Sequence, residues 1–443
     1  MIVMKFGGTS VGNAERIRNV ANIVKSNIGK KPIVVVSAVT KITDMLLKLA
    51  NESIENKREE TLENIRKTHN SILEMLQLNH SLLDSDFTEL QELFTETKNN
   101  KNLDAKTLDH FQSFGERMSS KIVAGQLNKI GVRSFPFNSW DLGLVTNDDF
   151  GNAEPLELAY GNIKNQIKKL NVVPVITGFI AKTRDGIITT LGRGGSDYTA
   201  AIFGASINAE EIQIWTDVNG MMSTDPKIVE NARTIPEISF AEASELAYFG
   251  AKVLHPKTIL PAVKKNIPVK VLNSFYPENG GTIILNKISK SKDTIKAIAY
   301  KKNIALVHVN SLRMLGNYGF LSGLFETFNK YKKSVDVVST SEVSVSLTLD
   351  NEQNIDKIVN ELKEFASVKV SRNKSIICVV GEGMRNTPGI SGRVFTTLGN
   401  NQINVEMISQ GASEINITFI IDGNNTEKAV KMLHDEYFGE KNE

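Results

Sequence analysis

The feature that most narrows the fold of this chain is an internal duplication near its C-terminus. "SGLFETFNKYKKSVDVVSTSEVSVSLTLD" (322–350) aligns with "SGRVFTTLGNNQINVEMISQGASEINITFIID" (391–422), with a short insertion in the second copy. Each copy reads as a helix, a strand, a short turn and an alternating strand that ends in Asp. Each then runs into another helical segment, "NIDKIVNELKEF" or "TEKAVKMLHDEY". The Ser-Gly start, the Val-Asp or Val-Glu pair and the closing Glu-to-Asp stretch recur in order, which chance similarity between amphipathic elements does not explain. Two copies of a small β-α-β-β-α unit imply two related modules packed together.

Upstream the texture is different. Residues 2–6 and "KPIVVVSA" (31–38) are Val/Ile-rich runs separated by the helical stretch "AERIRNVANIVKSN". This β-α-β order predicts parallel strands buried on both faces. No proline falls between Pro32 and Pro136, and Gly115 is the first glycine after Gly29, so that span reads as long helices. "VVPVITGFIA" (172–181) and "EIQIWTDV" (211–218) read as further strands. Residues 1–285 are expected to form one large α/β unit, with 286–305 a linker and first strand of the C-terminal region. The duplicated modules are then expected over 306–375 and 376–443. "YPENGGTIILNKISKSKDT" (276–294) suits a linker or an edge hairpin.

Composition removes several function classes. With 52 Lys+Arg against 50 Asp+Glu the formal charge is only +2, so no global field draws nucleic acid or an anionic membrane. The single cysteine, Cys378 in "IICVV", cannot form an internal disulfide and suits a reducing, cytoplasmic setting. No apolar run approaches the ~18 residues of a spanning helix, and strand pattern follows Met1 directly, so neither a signal peptide nor a membrane segment is expected. The six histidines show no metal-ligand spacing, so no protein-built metal site is expected.

The chemistry must then come from local loops. "IVMKFGGTSVGN" (2–13) puts Lys5 before Gly7 and Gly8, the reverse of a P-loop. Glycines after a strand let backbone N–H groups approach an anion. The alternative is an ordinary strand-to-helix turn capped by Thr9 or Ser10, with a solvated lysine. "TTLGRGGSDYTAA" (189–201) holds Arg193 among glycines, where a guanidinium fork suits a carboxylate or phosphate. Asp197 either caps the following helix or pairs with a cation. "IWTDVNGMMSTDPK" (214–227) reads as a strand end, an Asn-Gly turn and an Asp-Pro helix start. "FGAKVLHPKT" (249–258) presents Lys252, "SFGERMSS" (113–120) presents Glu116, and "SAVTKITD" (37–44) presents Ser37, Thr40 and Thr43. Glu116 could pair with Arg117 or hold a substrate ammonium.

Together these stretches resemble the aspartate kinase family within the amino-acid-kinase fold. The matching pieces, in family order, are KFGGTSV, VVVSA..KITD, GERMS, TNDDFGNAEP, GFIA, TTLGRGGSDYTAA, WTDVNG...TDP and FGAKVLHPKT. The duplicated region resembles paired ACT domains of ferredoxin-like βαββαβ form, and no dehydrogenase extension follows. The resemblance implies phosphorylation of the β-carboxylate of L-aspartate by ATP with Mg²⁺, the entry to lysine, threonine and methionine biosynthesis. It implies that Lys5, Gly7, Gly8 and Thr9 meet the phosphates, and that Asp197 orients Lys5. Arg193 would clamp the aspartate α-carboxylate and Glu116 its ammonium, while Ser37, Thr43, Phe179 and Ser196 shape the pocket. Thr216, Asp217, Met222, Lys227, Lys252 and Val253 would contact the nucleotide. Met222 and Lys227 stand where relatives commonly carry Tyr and Arg, and a thioether neither stacks like a phenol nor donates its hydrogen bond.

For the first duplicated module the resemblance is to lysine-responsive members, with threonine a further possible effector. Met314, Asn317, Gly319, Phe320, Leu321, Ser334, Val335, Asp336, Thr340, Ser341 and Glu342 would surround the effector at a homodimer interface, within a dimer or a tetramer. Asn317 replaces a common Ser. A carboxylate kinase acting on glutamate or acetylglutamate, and a catalytically silent amino-acid sensor, are the competing readings. The paired modules argue against the first, and the joint presence of Lys5, Arg193, Asp197 and Glu116 against the second.

Overall fold

The computed structural model describes residues 1–55, 60–250, 254–288, 293–316, 318–411 and 413–439, so the expectations for Lys252, Val253 and Asn317 lie outside it. The chain divides into two compact units. One comprises residues 1–221, 236–240 and 253–287, and the other 222–235, 241–252 and 288–443.

The first unit is built on strands β1 (Ile2–Phe6), β2 (Pro32–Val36), β3 (Ser134–Phe137), β4 (Val145–Thr146), β5 (Val173–Thr177), β6 (Ile180–Thr183), β7 (Ile188–Thr190), β8 (Glu211–Thr216), β9 (Glu237–Ser239), β10 (Val269–Asn273) and β11 (Thr282–Leu285). Eight of them form one sheet in the order β3-β5-β2-β1-β8-β10-β11-β9, parallel except where β10 meets β11. The expected β-α-β start is present: β1 lies between β2 and β8, and every residue of β1 and β2 is buried. That burial on both faces is why these strands read as unbroken apolar runs. The proline-free span folds into the helices Ile42–Ile54, Glu60–Leu76, Asp84–Asn100 and Ala105–Lys129. Phe87, Phe94, Phe111, Phe114 and Phe6 pack in the core they share with β1 and β2.

Three local expectations are corrected. The helix Ala14–Ser26 is capped by Asn13, whose side chain accepts the Arg16 N–H, and not by Thr9 or Ser10. The run 172–181 is two strands, broken at Gly178 and Phe179, because Phe179 takes φ +65° and turns the chain out of the main sheet. The Asp225-Pro226 step closes a single turn, with Val229 N–H bonded to Asp225 O, and no helix follows. A bridge between Met222 and Thr234 folds the segment back on itself.

The second unit holds a six-stranded sheet built from β12 (Ala297–Asn310), β13 (Val338–Thr340), β14 (Ser344–Leu349), β15 (Ser367–Val380), β16 (Met407–Ser409) and β17 (Asn416–Asp422), in the order β13-β14-β12-β15-β17-β16. The helices Phe320–Lys330 and Ile355–Leu362 complete one ferredoxin-like module, and Ile390–Asn400 with Thr426–Phe438 the other. Both long strands shift register, near residues 301–304 of β12. The later half of β12 pairs with β14 and with the start of β15, while residues 297–301 pair with 376–380. The second module therefore takes its fourth strand from chain that precedes the first, so its βαββαβ order holds in space and not along the sequence. Cys378 lies fully buried in β15, and burial pushes its thiol pKa up, as expected of a core residue.

Candidate active site

The strand ends of the central parallel sheet define the site. β1 runs into Gly7-Gly8, β2 into Ser37, and β5 into Gly178-Phe179. A ligand crevice is expected at the carboxyl ends of such strands. Here a cavity of about 560 Å³ opens, lined by Lys5, Gly8, Ser37, Thr43, Glu116, Phe179, Arg193, Ser196 and Asp197 among others. These nine residues and Thr40, all singled out by sequence reasoning across nearly two hundred positions, thus share one cavity.

Lys5 projects from a fully buried strand, and its Nζ lies 2.6 Å from Asp197 Oδ1. Both residues are buried, at 9% and 8% exposure, so the solvated-lysine alternative for Lys5 is removed. The same contact decides the two readings of Asp197. The helix Gly195–Ile207 is capped by Gly194 at φ +70°, leaving Asp197 in its first turn to hold the lysine. The glycine turn is pinned from both sides: Gly7 N–H donates to Trp215 O, and Thr40 Oγ1 donates to Gly8 O at 2.8 Å. A Cβ on Gly8 would approach Ala38 O to 3.0 Å, so this loop needs glycine for close backbone passage.

Glu116 rises from the long helix Ala105–Lys129 and is only 3% exposed. Its Oε1 accepts the Ala38 N–H at 3.0 Å, while Oε2 is buried with no partner among the described residues. Desolvation raises its pKa to about 8, and the Ala38 N–H and the Lys5 charge offset only part of that. Arg117 turns the other way, to Glu89 and Asp86, so the Glu116–Arg117 pair does not form. Arg193 is exposed at the cavity, on a loop where Gly192 and Gly194 both take positive φ. Gly178 and Ser196 touch so closely that a Cβ on Gly178 would lie 2.6 Å from Ser196 Oγ.

Of the residues expected at the nucleotide, Gly7 and Thr9 sit on the pinned turn. Thr216 ends β8, the neighbour of β1, Asp217 follows it, and Thr216 Oγ1 donates to Asp217 Oδ1 at 3.1 Å. Met222 and Lys227 fall in the second compact unit. There the Met222 sulfur accepts the Thr234 hydroxyl and Lys227 is exposed.

Sequence reasoning passed over Asp109, Gln112 and Gly151. Gln112 and Gly151 line the cavity. Asp109, Gln112 and Glu116 follow the i, i+3, i+7 spacing of one helix face, a signal that could have drawn them together.

In the first duplicated module, Gly319 at φ +83° caps the helix Phe320–Lys330, and Met314, Phe320 and Val335 pack on its core. Leu321, Ser334, Thr340, Ser341 and Glu342 are exposed. Asp336 is not an open acid. Its Oδ1 accepts the Tyr248 hydroxyl and its Oδ2 is paired with Lys301 Nζ, both at 2.9 Å.

Residues 1–273 match the amino acid kinase family and residues 377–437 an ACT domain. The chain is 40% identical to aspartokinase 3, chloroplastic, of Arabidopsis thaliana, over 98% of this chain and 81% of that protein. It belongs to the aspartokinase family. It is also 37% identical to lysine-sensitive aspartokinase 3 of Escherichia coli K12, with 99% of each chain covered. The crystal structure of E. coli aspartokinase III in complex with aspartate and ADP superposes with a TM-score of 0.82 at 36% identity, covering 99% of this chain and 100% of that one. The fold expected from the aspartokinase resemblance, a parallel-sheet α/β unit followed by two ferredoxin-like modules, is the one observed. Among the described residues no helix is long and apolar enough to cross a membrane.

Proposed function

We propose that this chain transfers the γ-phosphoryl group of ATP to the β-carboxylate of L-aspartate, giving aspartyl phosphate and ADP, and that lysine inhibits it through the first ACT module. The observation that carries the reading is the buried Lys5–Asp197 ion pair sharing one cavity with the half-satisfied Glu116 and with Arg193. A carboxylate nucleophile titrates at about 3.9 when free and is ionised at neutral pH, so the site needs no general base. It needs positioning and positive charge over the transferring group. A β-carboxylate oxygen attacks the γ-phosphorus as the bond to the β,γ-bridging oxygen breaks, and ADP leaves with that electron pair.

In this reading Lys5 meets the γ-phosphate, held in place by Asp197, and the N–H groups of Gly7 to Thr9 line the phosphate path. Arg193 takes the substrate α-carboxylate and Glu116 its ammonium, with Ser37, Thr43, Phe179 and Ser196 closing the pocket. Thr216 and Asp217, where β8 ends beside β1, meet the nucleotide. No group of three or more His, Cys, Asp or Glu that could hold a metal occurs among the described residues. Mg²⁺ accompanying ATP would neutralise phosphate charge.

Lysine carries two ammonium groups, and an ammonium reaching Asp336 has to displace Lys301 or the Tyr248 hydroxyl. Glu342, exposed at the same module, is the open acid. Leu312, Leu315, Tyr318, Leu321 and Phe325 are all exposed on this module, which fits a second copy of the chain covering them. The single buried cysteine is in keeping with a reducing, cytoplasmic setting. The test is ADP release: it should require L-aspartate and Mg²⁺ together and fall with added lysine, and aspartate-independent turnover would sink the proposal.

A further inference from the structure

We propose that Asp109 is a positioning residue for aspartate binding, fixing the backbone of the loop that carries Arg193. The inference rests on the reading above in which Arg193 takes the α-carboxylate. Asp109 is wholly buried on the helix Ala105–Lys129 and does not line the cavity, so it touches no substrate. Its Oδ2 accepts the N–H of Gly151 and the N–H of Thr190, each at 2.9 Å, and its Oδ1 accepts the Thr190 hydroxyl at 2.8 Å.

Those donors belong to two different segments, a loop and the end of β7, and both Gly151 and Thr190 line the cavity. The segments are also pressed together. Ala153 N–H donates to Thr190 O at 2.8 Å, and a Cβ on Gly192 would come within 2.9 Å of Asn152 Oδ1. Thr190 ends β7 and the glycine-flanked stretch to Arg193 follows at once. Among the described residues the Arg193 side chain is exposed at the cavity and makes no ion pair or side-chain hydrogen bond, so the backbone sets its position. Glycines cannot hold that backbone themselves.

Two turns further along the same helix, Glu116 accepts the Ala38 N–H. One rigid element thus fixes three cavity segments relative to one another through two carboxylates. A buried carboxylate stays there because three donors satisfy it. Asparagine in its place can keep the three contacts only by taking both N–H groups on its single oxygen and donating its NH₂ to the Thr190 hydroxyl, so the carboxylate's charge is lost and the bonds that hold the loop backbone weaken.

The test uses the full-length chain with Mg²⁺ and ATP, comparing L-aspartate with its α-amide, which lacks the carboxylate Arg193 would grip. In Asp109→Asn, KM for L-aspartate should rise about tenfold or more while KM for ATP stays within about twofold. The preference for L-aspartate over the amide should shrink by a similar factor. A residue that merely stabilises the fold would lower the active fraction and leave both ratios alone. If Asp109→Asn does not fold, Thr190→Val removes one donor alone and should move the same ratios in the same direction by about threefold. Unchanged ratios in the folded variant overturn the proposal. Arg193→Ala separates the two claims. If it abolishes the amide discrimination and Asp109→Asn does not, the inference about Asp109 falls and the role of Arg193 stands. If Arg193→Ala leaves the discrimination intact, the reading of Arg193 falls and the inference with it.

Discussion

If Glu116 takes the substrate ammonium, aspartate binding must be coupled to proton release. In the free enzyme burial lifts the Glu116 pKa from its ordinary 4.5 to about 8. At pH 7 that carboxyl is roughly nine-tenths protonated, whereas an ammonium against its oxygens returns it to the ordinary carboxylate range. Each aspartate bound at pH 7 should therefore release about 0.9 proton, about half a proton at pH 8 and about 0.1 at pH 9. Affinity for aspartate should fall nearly tenfold per unit as pH drops below 8, and level off above it. The sign for folding is opposite. Because the folded pKa lies above the unfolded one, the native advantage is full below about pH 4.5 and is lost as pH climbs to about 8, by at most ~5 kcal/mol for a fully desolvated group. Titration calorimetry of L-aspartate into ADP-saturated enzyme, repeated in buffers of different ionisation enthalpy, reads the proton count directly. Glu116→Gln should bind aspartate at least tenfold more weakly, release no proton, and lose this part of the decline in thermal stability between pH 5 and 9. Proton-neutral binding by the wild type at pH 7, or equal release by Glu116→Gln, would refute the assignment.

Other perturbations follow from the same geometry. Lys5→Met should cut kcat by about a thousandfold or more with the far-ultraviolet circular dichroism spectrum unchanged, because the lysine acts on developing charge while the surrounding strand supplies the fold. Asp197, left without its partner, should then cost a few degrees of melting temperature by scanning calorimetry. Gly178→Ala would place a Cβ 2.6 Å from Ser196 Oγ, so it should destabilise the chain by about 1–3 kcal/mol and raise KM for aspartate, read by denaturation and steady-state kinetics. Tyr248→Phe frees one oxygen of Asp336 and should lower the lysine concentration for half-inhibition about tenfold with little change in uninhibited rate. Dose–response curves check it, and an unchanged midpoint would count against Asp336 as an effector contact.

Much of this was legible in the residues. The runs IVMKF and PIVVV announce buried parallel strands because both faces are covered, and Gly7-Gly8 and 192–195 mark the turns that follow strand ends. The duplication announced two modules. What stayed hidden depends on pairing across distance. The bond between Asp109 and Thr190 spans 81 residues and leaves no local trace. The borrowed strand 297–301 precedes both repeats and shares no pattern with them. The break at Phe179 was missed because a bulky residue, not the adjacent Gly178, takes the positive φ. Asp336 looked open because its partners Tyr248 and Lys301 come from separate stretches of chain.

The most direct measurement is the identity of the phosphorylated product. Enzyme, Mg²⁺-ATP and either L-aspartate or L-glutamate are incubated with hydroxylamine, with and without millimolar lysine, and the hydroxamate is identified by mass spectrometry against synthetic standards. The account predicts β-aspartyl hydroxamate, formed only with ATP and suppressed by lysine, and no glutamyl product. Absence of the β-aspartyl hydroxamate, or equal yield from glutamate, would contradict it.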